Sequence, residues 1–361
     1  MIGNSIDPRR IKPSPPNLIG IDHVHFFVQD VQRWRKWFED CLDFKAIATI
    51  QNHCHTEILQ HGSIQFWLSA PLRVESQSEP QLELDSDRVS YFLRDHPPGI
   101  AEIAFQIDPQ AQASQLTDRY VELAHAAINW PEPQQDANNV LKGWGDLTYR
   151  FVDHQLQQTD RPIQALPAKS PRSLSKPLFT GIDHLVLNVP SGQMWQAANW
   201  HEQNLGLRVS DRFNIATDRS ALRSVVLGNS DRSVQMPINE PSTQNSQIQE
   251  FLDYNRGAGI QHIALHTDNI FETVSRLKQR GVRFLETEPE ILIDVQDHEA
   301  GQALLQIFTQ PIFDEPTFFF EIIQRRSQAQ GFGEGNFQAL FEAIEQQQIF
   351  RSTFYSDYSE Q

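Results

Sequence analysis

One unit of this chain occurs twice, and that repeat limits its fold more than anything else in the sequence. GIDHVHFFV at 20–28 returns as GIDHLVLNV at 181–189, the helix end WFEDCLDF returns as WHEQNLGL, and HPPGIAEIAF returns as GAGIQHIAL. Self-similarity over so long a period means two similar units rather than one continuous architecture. Within the first copy, LIGIDHVHFFVQDV reads as a strand and VQRWRKWFEDCL as a helix with Trp34, Trp37, Phe38 and Leu42 on one face. FKAIATI is a second strand, and TEILQHGSIQFWLSAP is a hairpin turned at His61-Gly62. HPPGIAEIAFQID enters a further strand, followed by a polar helix through LTDRYVELAHAA. Strand, helix and hairpin strands in this order suit a curled mixed sheet around a central pocket, an α+β fold.

The repeat also sets the expected boundaries. Residues 1–17 form an arm punctuated by Pro8, Pro13, Pro15 and Pro16, and 18–153 form the first unit. A proline-rich linker without aliphatic periodicity covers 154–176, the second unit 177–325, and a C-terminal segment with a helix 326–361. With 361 residues there is chain enough for two units, each with its own core. The net charge of −16 argues against nucleic acid or an anionic membrane as partner. No run approaches the roughly 18 apolar residues of a membrane helix, and the first twenty residues lack a secretory h-region. Cys41 and Cys54 have no CxxC spacing, so free thiols in a reducing cytoplasm are the expectation.

Chemistry concentrates in the second unit. Strands alternate faces, so His262 in GAGIQHIALHT shares a side with Ala264 and His266. One histidine in an apolar strand is ordinarily a hydrogen-bonded core residue. Here two further strand-like stretches carry matching groups, His184 in FTGIDHLVLNV and Glu321 in PTFFFEIIQR. Two imidazoles and a carboxylate are the facial set of non-haem Fe(II) oxygenases, which leaves positions open for substrate and O2. Phe319 shares the strand face of Glu321, and Gln306 and Phe308 share a face in LLQIFTQP, so an aromatic wall and an amide can flank a metal. Asn239, Gln247 and Gln249 are uncharged groups suited to a polar but neutral substrate group such as a phenol, although capping or solvent contact suits Gln249 better. The first unit matches less well: His23 aligns with His184 and Glu102 with His262, but LTYRFV offers no carboxylate, and His53 and His55 stand alone. The tail GFGEGNFQALFEAIE is GxGxG rather than GxGxxG and carries Glu334, which excludes a dinucleotide loop. Its Phe337, Leu340, Phe341 and Ile344 fall on one helical face, which covers either a pocket or a core. No GxSxG elbow is present.

Taken in order, MPINEP, SQIQEFL, GAGIQHIAL, LLQIFTQP, PTFFFEIIQR and GFGEGNFQALFEAIE resemble 4-hydroxyphenylpyruvate dioxygenases. The resemblance implies two domains of paired βαβββ modules, as in the vicinal-oxygen-chelate (glyoxalase-like) superfamily, with Fe(II) held only in the second by His184, His262 and Glu321. It implies Gln306, Phe308 and Phe337 at the reacting centre, and Ser224, Asn239, Gln247, Gln261, Phe319, Phe332 and Asn336 around an aromatic α-keto acid. It further implies reaction with O2 to give homogentisate in tyrosine catabolism, with a homo-oligomer as an assembly to consider. A hydroxymandelate synthase, or a weakly active member with a binding role, would share most of these residues. Two departures are expected to matter. On a regular strand Gln261 faces away from His262, so its place in a pocket needs a bulge, and the stretch between Glu286 and Ile291 is shorter than the family's.

Overall fold

A computed structural model describes residues 15–51, 53–72, 88–108, 139–154, 164–166 and 176–359. The first half opens with β1 (Leu18–Phe27), α1 (Val31–Leu42), β2 (Lys45–Gln51), β3 (Cys54–His61) and β4 (Ile64–Pro71). It continues with α2 (Arg88–Asp95), β5 (Gly99–Ile107), β6 (Val140–Lys142), β7 (Thr148–Val152) and β8 (Gln164–Ala165). The second half runs β9 (Gly181–Asn188), α3 (Met194–Leu205), β10 (Arg208–Ala216), β11 (Ala221–Gly228), β12 (Gln235–Pro241) and α4 (Gln247–Asn255). Then follow β13 (Gly259–His266), α5 (Ile270–Gln279), β14 (Leu292–Asp297), β15 (Gln302–Phe308), β16 (Phe319–Arg326) and α6 (Glu334–Ser359).

Each half makes one eight-stranded sheet, ordered β6-β7-β5-β1-β4-β3-β2-β8 and β10-β11-β12-β9-β13-β16-β15-β14. Reversed and moved one place along, the second list matches β9 to β1, β12 to β4, β13 to β5 and β16 to β7, with β8 and β14 left over. In both sheets the central strand pairs parallel to one neighbour and antiparallel to the other, as β1 does with β4 and β5 and β9 with β12 and β13. The paired-module reading of the repeat therefore holds, with α6 added at the end. The polar helix expected at 116–127 lies outside the described residues. Within the stretch read as a linker, Gln164 and Ala165 pair with Thr49 and Ala48 of β2, extending the first sheet by one short strand.

Local signals explain most elements. Asp30 caps α1, its side chain accepting from the backbone N–H groups of Gln32 and Arg33, and Val31, Trp34, Phe38 and Leu42 are buried on one face. The hairpin of β3 and β4 turns at Gly62, whose φ of 59° a side chain would resist.

The expectation of separate cores is not met. A single cluster of buried apolar residues runs through both halves, from Phe26, Phe38 and Phe66 to Phe313, Phe318 and Phe320. Phe320 stacks on Phe66 at 5.9 Å between ring centres, Phe318 meets Phe26 edge-on at 5.3 Å, and Phe313 meets Trp34 at 4.6 Å. Alternation along PTFFFE is the cause: Phe318 and Phe320 turn to the first half while Phe319 and Glu321 turn the other way.

A polar contact also joins the halves. Buried His201 on α3 donates from Nδ1 to the Ala197 carbonyl at 2.7 Å and accepts at Nε2 from the Tyr149 hydroxyl at 2.7 Å. With both nitrogens so used the ring is neutral, and burial pushes its pKa down to about 4. The unfolded chain, with an imidazole near 6.5, then binds more protons than the folded one between those values, so stability falls as pH drops through that window. Between pH 7 and pH 5 the wild type should lose about 2 kcal/mol more than His201→Gln, read from urea midpoints. Equal losses in the two proteins would show that His201 is not held neutral.

Among the described residues no helix is long and apolar enough to cross a membrane.

Candidate metal centre

Three adjacent strands bring the candidate ligands together. Ala264 on β13 pairs with His184 on β9 on one side and with Glu321 on β16 on the other, while His262, two residues earlier, pairs with Val186 and Phe319. Two irregularities shape the site. The β9–β13 register slips at Asp183, between the pairs Ala264–His184 and Leu265–Ile182, and again at Gln261, between Ile260 and His262. On a regular strand Asp183 and His184 would face opposite ways. Across this bulge Asp183 reaches back, and its Oδ1 accepts from His184 Nδ1 at 2.8 Å.

His184, His262 and Glu321 are all buried, with ligand atoms within 4.8 Å of one another. Glu321 Oε2 lies 3.3 Å from His184 Nε2 and 3.5 Å from His262 Nε2. Its Oε1 accepts from Gln306 Nε2 at 2.7 Å, and Gln306 Oε1 accepts in turn from Asn336 Nδ2 at 2.7 Å. The electrostatics fit a cation. Burial opposes charge on Glu321, yet the two histidines outweigh it and hold its carboxyl down to about 2. Burial likewise works against charging His184, but Glu321 and Asp183 raise it to about 9, while burial lowers His262. Two imidazoles and a carboxylate converge here, and Asp183 fixes one His184 proton on Nδ1, so that a metal entering the site would displace only the proton on Nε2. These residues suit a divalent transition metal that keeps positions open to other ligands.

The triad opens onto a cavity of about 30 Å³ lined by Ser224, Asn239, Gln306, Phe308, Phe332 and Phe337, among others. Ser224 and Asn239 come from the paired strands β11 and β12, where they are cross-strand partners. Ser224 Oγ and Asn239 Oδ1 are buried without a partner among the described residues, as is Asn188 Nδ2 beside them. Gln247, Gln261 and Phe319 line an adjoining cavity of about 20 Å³ instead, together with Thr317 and Arg351. Phe319, on the wall of this second cavity, stacks at 4.7 Å on His262, on the wall of the first. The bulge that Gln261 needs is present, and its side chain is buried. Asn336 stands behind Gln306 rather than on the cavity wall. Phe337 and Leu340 of α6 face the cavity, so this helix covers a pocket as well as packing Phe341 against Ile248 and Phe251.

Sequence reasoning missed Asp183, Arg325, Asn188 and Phe213. The GIDH tetrapeptide in both copies was a usable signal for Asp183. His53 is exposed and His55 bonds Glu57 at 3.1 Å, so neither joins a ligand cluster.

A family model for the Glyoxalase/Bleomycin resistance protein/Dioxygenase superfamily matches residues 20–123 and 181–294. A 4-hydroxyphenylpyruvate dioxygenase of Yarrowia lipolytica is 32% identical, the match covering 97% of this chain and 95% of the relative. The chain belongs to the 4-hydroxyphenylpyruvate dioxygenase family. An uncharacterized protein of Synechocystis is 34% identical over 90% of this chain and 96% of its own. Among solved structures, a mutant of 4-hydroxymandelate synthase from Streptomyces coelicolor has a TM-score of 0.76 at 26% identity, covering 92% of this chain and 99% of that one. In this dioxygenase-family chain an open groove of about 690 Å³ lies beside the stretch before β14, lined by Glu286, Glu288, Glu290 and by Glu342 and Ala343 of α6. The groove lies outside the triad's cavity, and no ligand residue is displaced by it.

The first half of this dioxygenase-family chain carries the same backbone device with other side chains. The β1–β5 register slips at Asp22 and at Ala101, the positions of Asp183 and Gln261. Asp22 accepts from His23 Nδ1 at 2.6 Å, as Asp183 does from His184. The counterparts of His262 and Glu321 are Glu102 and Arg150, since Ala104 pairs with Arg150 as Ala264 does with Glu321. Arg150 donates to Glu102 from Nε at 2.9 Å and Nη2 at 3.1 Å, and Arg88 donates at 2.8 Å. Guanidinium groups thus neutralise the carboxylate where a metal would otherwise do so.

Proposed function

We propose that the chain is an Fe(II)-dependent dioxygenase that converts 4-hydroxyphenylpyruvate and O2 to homogentisate and CO2, a step of tyrosine catabolism. The observation that carries this reading is the pairing of the buried His184, His262 and Glu321 triad with an aromatic cavity in which Ser224 Oγ and Asn239 Oδ1 await a partner. Such a cavity suits a neutral phenolic ring, because a hydroxyl satisfies an amide oxygen without bringing a charge. Bound iron would supply the sites at which the keto acid is chelated and O2 is reduced.

The protein's own part is positioning. Gln306 holds one oxygen of Glu321, leaving Oε2 for the metal, and Asn336 fixes the orientation of Gln306. Phe308, Phe332 and Phe337 bound the ring and keep water from it. At about 30 Å³ the cavity admits little more than one or two waters. Substrate entry therefore requires the α6 side, with Phe337 and Leu340, to give way. Asn239, Ser224 and the glutamines Gln247 and Gln261 complete the reading of the substrate site, with the glutamines reached once Phe319 turns. The expected setting is cytoplasmic.

A hydroxymandelate synthase would use the same substrate and release the same CO2, and a fold relative of that activity makes it the second reading. Oxygen uptake cannot separate the two, because both products have the same composition. The deciding experiment loads purified protein with Fe(II) without air, adds 4-hydroxyphenylpyruvate and O2, and identifies the product by chromatography. Homogentisate is the expected result. Hydroxymandelate would replace the proposal with the second reading, and metal-loaded protein without product would point to a binding role left by the shortened stretch.

A further inference from the structure

Arg325 closes a circuit around the candidate ligand His184. It lies four residues beyond Glu321 near the end of β16, with its side chain 15% exposed. Nε and Nη2 grip Asp183 at 2.7 and 2.8 Å, the fork geometry that an arginine makes with a carboxylate. Asp183 in turn holds His184 Nδ1 at 2.8 Å. The remaining donor, Nη1, points the other way, to the carbonyls of Ala329 at 3.3 Å and Gly331 at 2.8 Å. These carbonyls belong to the turn that links β16 to α6. The next residue, Phe332, lies with its ring 5.9 Å from the guanidinium and edge-on to the His184 ring at 4.8 Å. Arginine, carboxylate, imidazole and phenyl ring form a closed loop of contacts, and Phe332 lines the cavity.

The turn would not hold this path unaided. Ser327 and Gln328 take left-handed φ angles of 50° and 60°, followed by Gly331 at 73° and Gly333 at 63°. Non-glycine residues persist in that region when surrounding contacts impose it. The first half provides an internal comparison. There Asp22 holds His23 and is itself met by His154 at 2.5 Å, whose side chain is 59% exposed. Anchoring a histidine through its neighbouring aspartate therefore does not require arginine. What Arg325 adds is the second set of donors, turned to the backbone of the 329–333 turn.

We propose that Arg325 is a positioning residue that couples the orientation of His184, through Asp183, to the turn that sets Phe332 over the site and starts α6. The inference rests on His184 being a metal ligand. Metal binding that orders His184 orders Asp183 and Arg325 with it, and so tightens the turn and the root of the covering helix.

The test uses the whole chain, Co(II) as a redox-stable probe, and two variants. Arg325→Lys keeps a positive charge beside Asp183 but has no fork with which to hold the carbonyls as well. The paired change Asp183→Asn with Arg325→Gln removes both charges together and so buries no unpaired charge, which protects folding. Two quantities are read: Co(II) affinity by titration, and backbone hydrogen exchange of 329–337 with and without Co(II). In the wild type Co(II) should bind one per chain and slow exchange across that segment. Arg325→Lys should bind Co(II) within about threefold of wild type, yet lose the slowing and raise KM more than it lowers kcat. The paired change should weaken Co(II) about 10- to 100-fold, the range seen when outer-shell partners of a metal-bound histidine are removed. A wild-type response of 329–337 in Arg325→Lys would overturn the coupling while leaving the metal site standing. Wild-type protein that binds no Co(II) would overturn the ligand assignment, and the inference with it.

Discussion

Glu321→Ala is expected to remove the metal and turnover while the sheet stays folded. Glu321 is the only carboxylate among the three grouped ligands, and its Oε2 stands between the two Nε2 atoms. Without it two imidazoles remain, too few to fix a metal against dialysis. Metal content should fall from about one per chain to under roughly a tenth, and turnover by at least ~10³-fold. Folding is spared because alanine suits a strand neighbour of Ala264, and Gln306 keeps its bond to Asn336. Metal analysis of the dialysed variant, with far-ultraviolet circular dichroism as control, provides the check. Wild-type metal content in the alanine variant would remove Glu321 from the ligand set.

Arg150→Ala is the change expected to cost most stability. Glu102 is 1% exposed and its charge is held by Arg150 and Arg88 together. Burial raises its pKa, but the two guanidinium groups outweigh this and hold the carboxyl well below the usual range. Deleting one partner of a buried pair costs about 3–5 kcal/mol, and the lower end applies because Arg88 remains. Glu102→Gln combined with Arg150→Met should recover most of that loss, since no uncompensated charge is then buried. The sign with pH follows from the depressed carboxyl. Its contribution is full above the unfolded value near 4.3 and is lost as pH falls through the folded value beneath it. Urea midpoints at pH 7 check the magnitude, and a loss under about 1 kcal/mol would mean that water reaches Glu102.

The triad was legible because each ligand breaks a local rule: a charged or titratable group stands in a strand otherwise built of apolar residues. Helix α1 and the covering stripe of α6 were legible for the opposite reason, that their buried residues keep a helical period. Other features are set by relations between strands. Gln261 could not be oriented from sequence, because a bulge is a mismatch of register with a partner strand. Arg325 carries no signal of its own in the sequence, because only the fold brings it to Asp183. Alternation showed that Phe318 and Phe320 turn away from the ligands, but not that they would meet Phe26 and Phe66 of the other half. The short β8 strand was hidden in a proline-rich stretch whose composition argued for a linker.

The aromatic seam between the halves gives the first copy a part to play although, among its described residues, no cluster of candidate metal ligands is found. Strand β16 carries Glu321 on one face, and on the other Phe320 rests against Phe38 and Phe66 while Phe318 rests against Phe26. The first half therefore acts as the buttress of the strand that carries Glu321. Cut away, it would leave that strand with a wet, apolar back, and the carboxylate on its front would lose the rigid footing that precise coordination of a metal would demand.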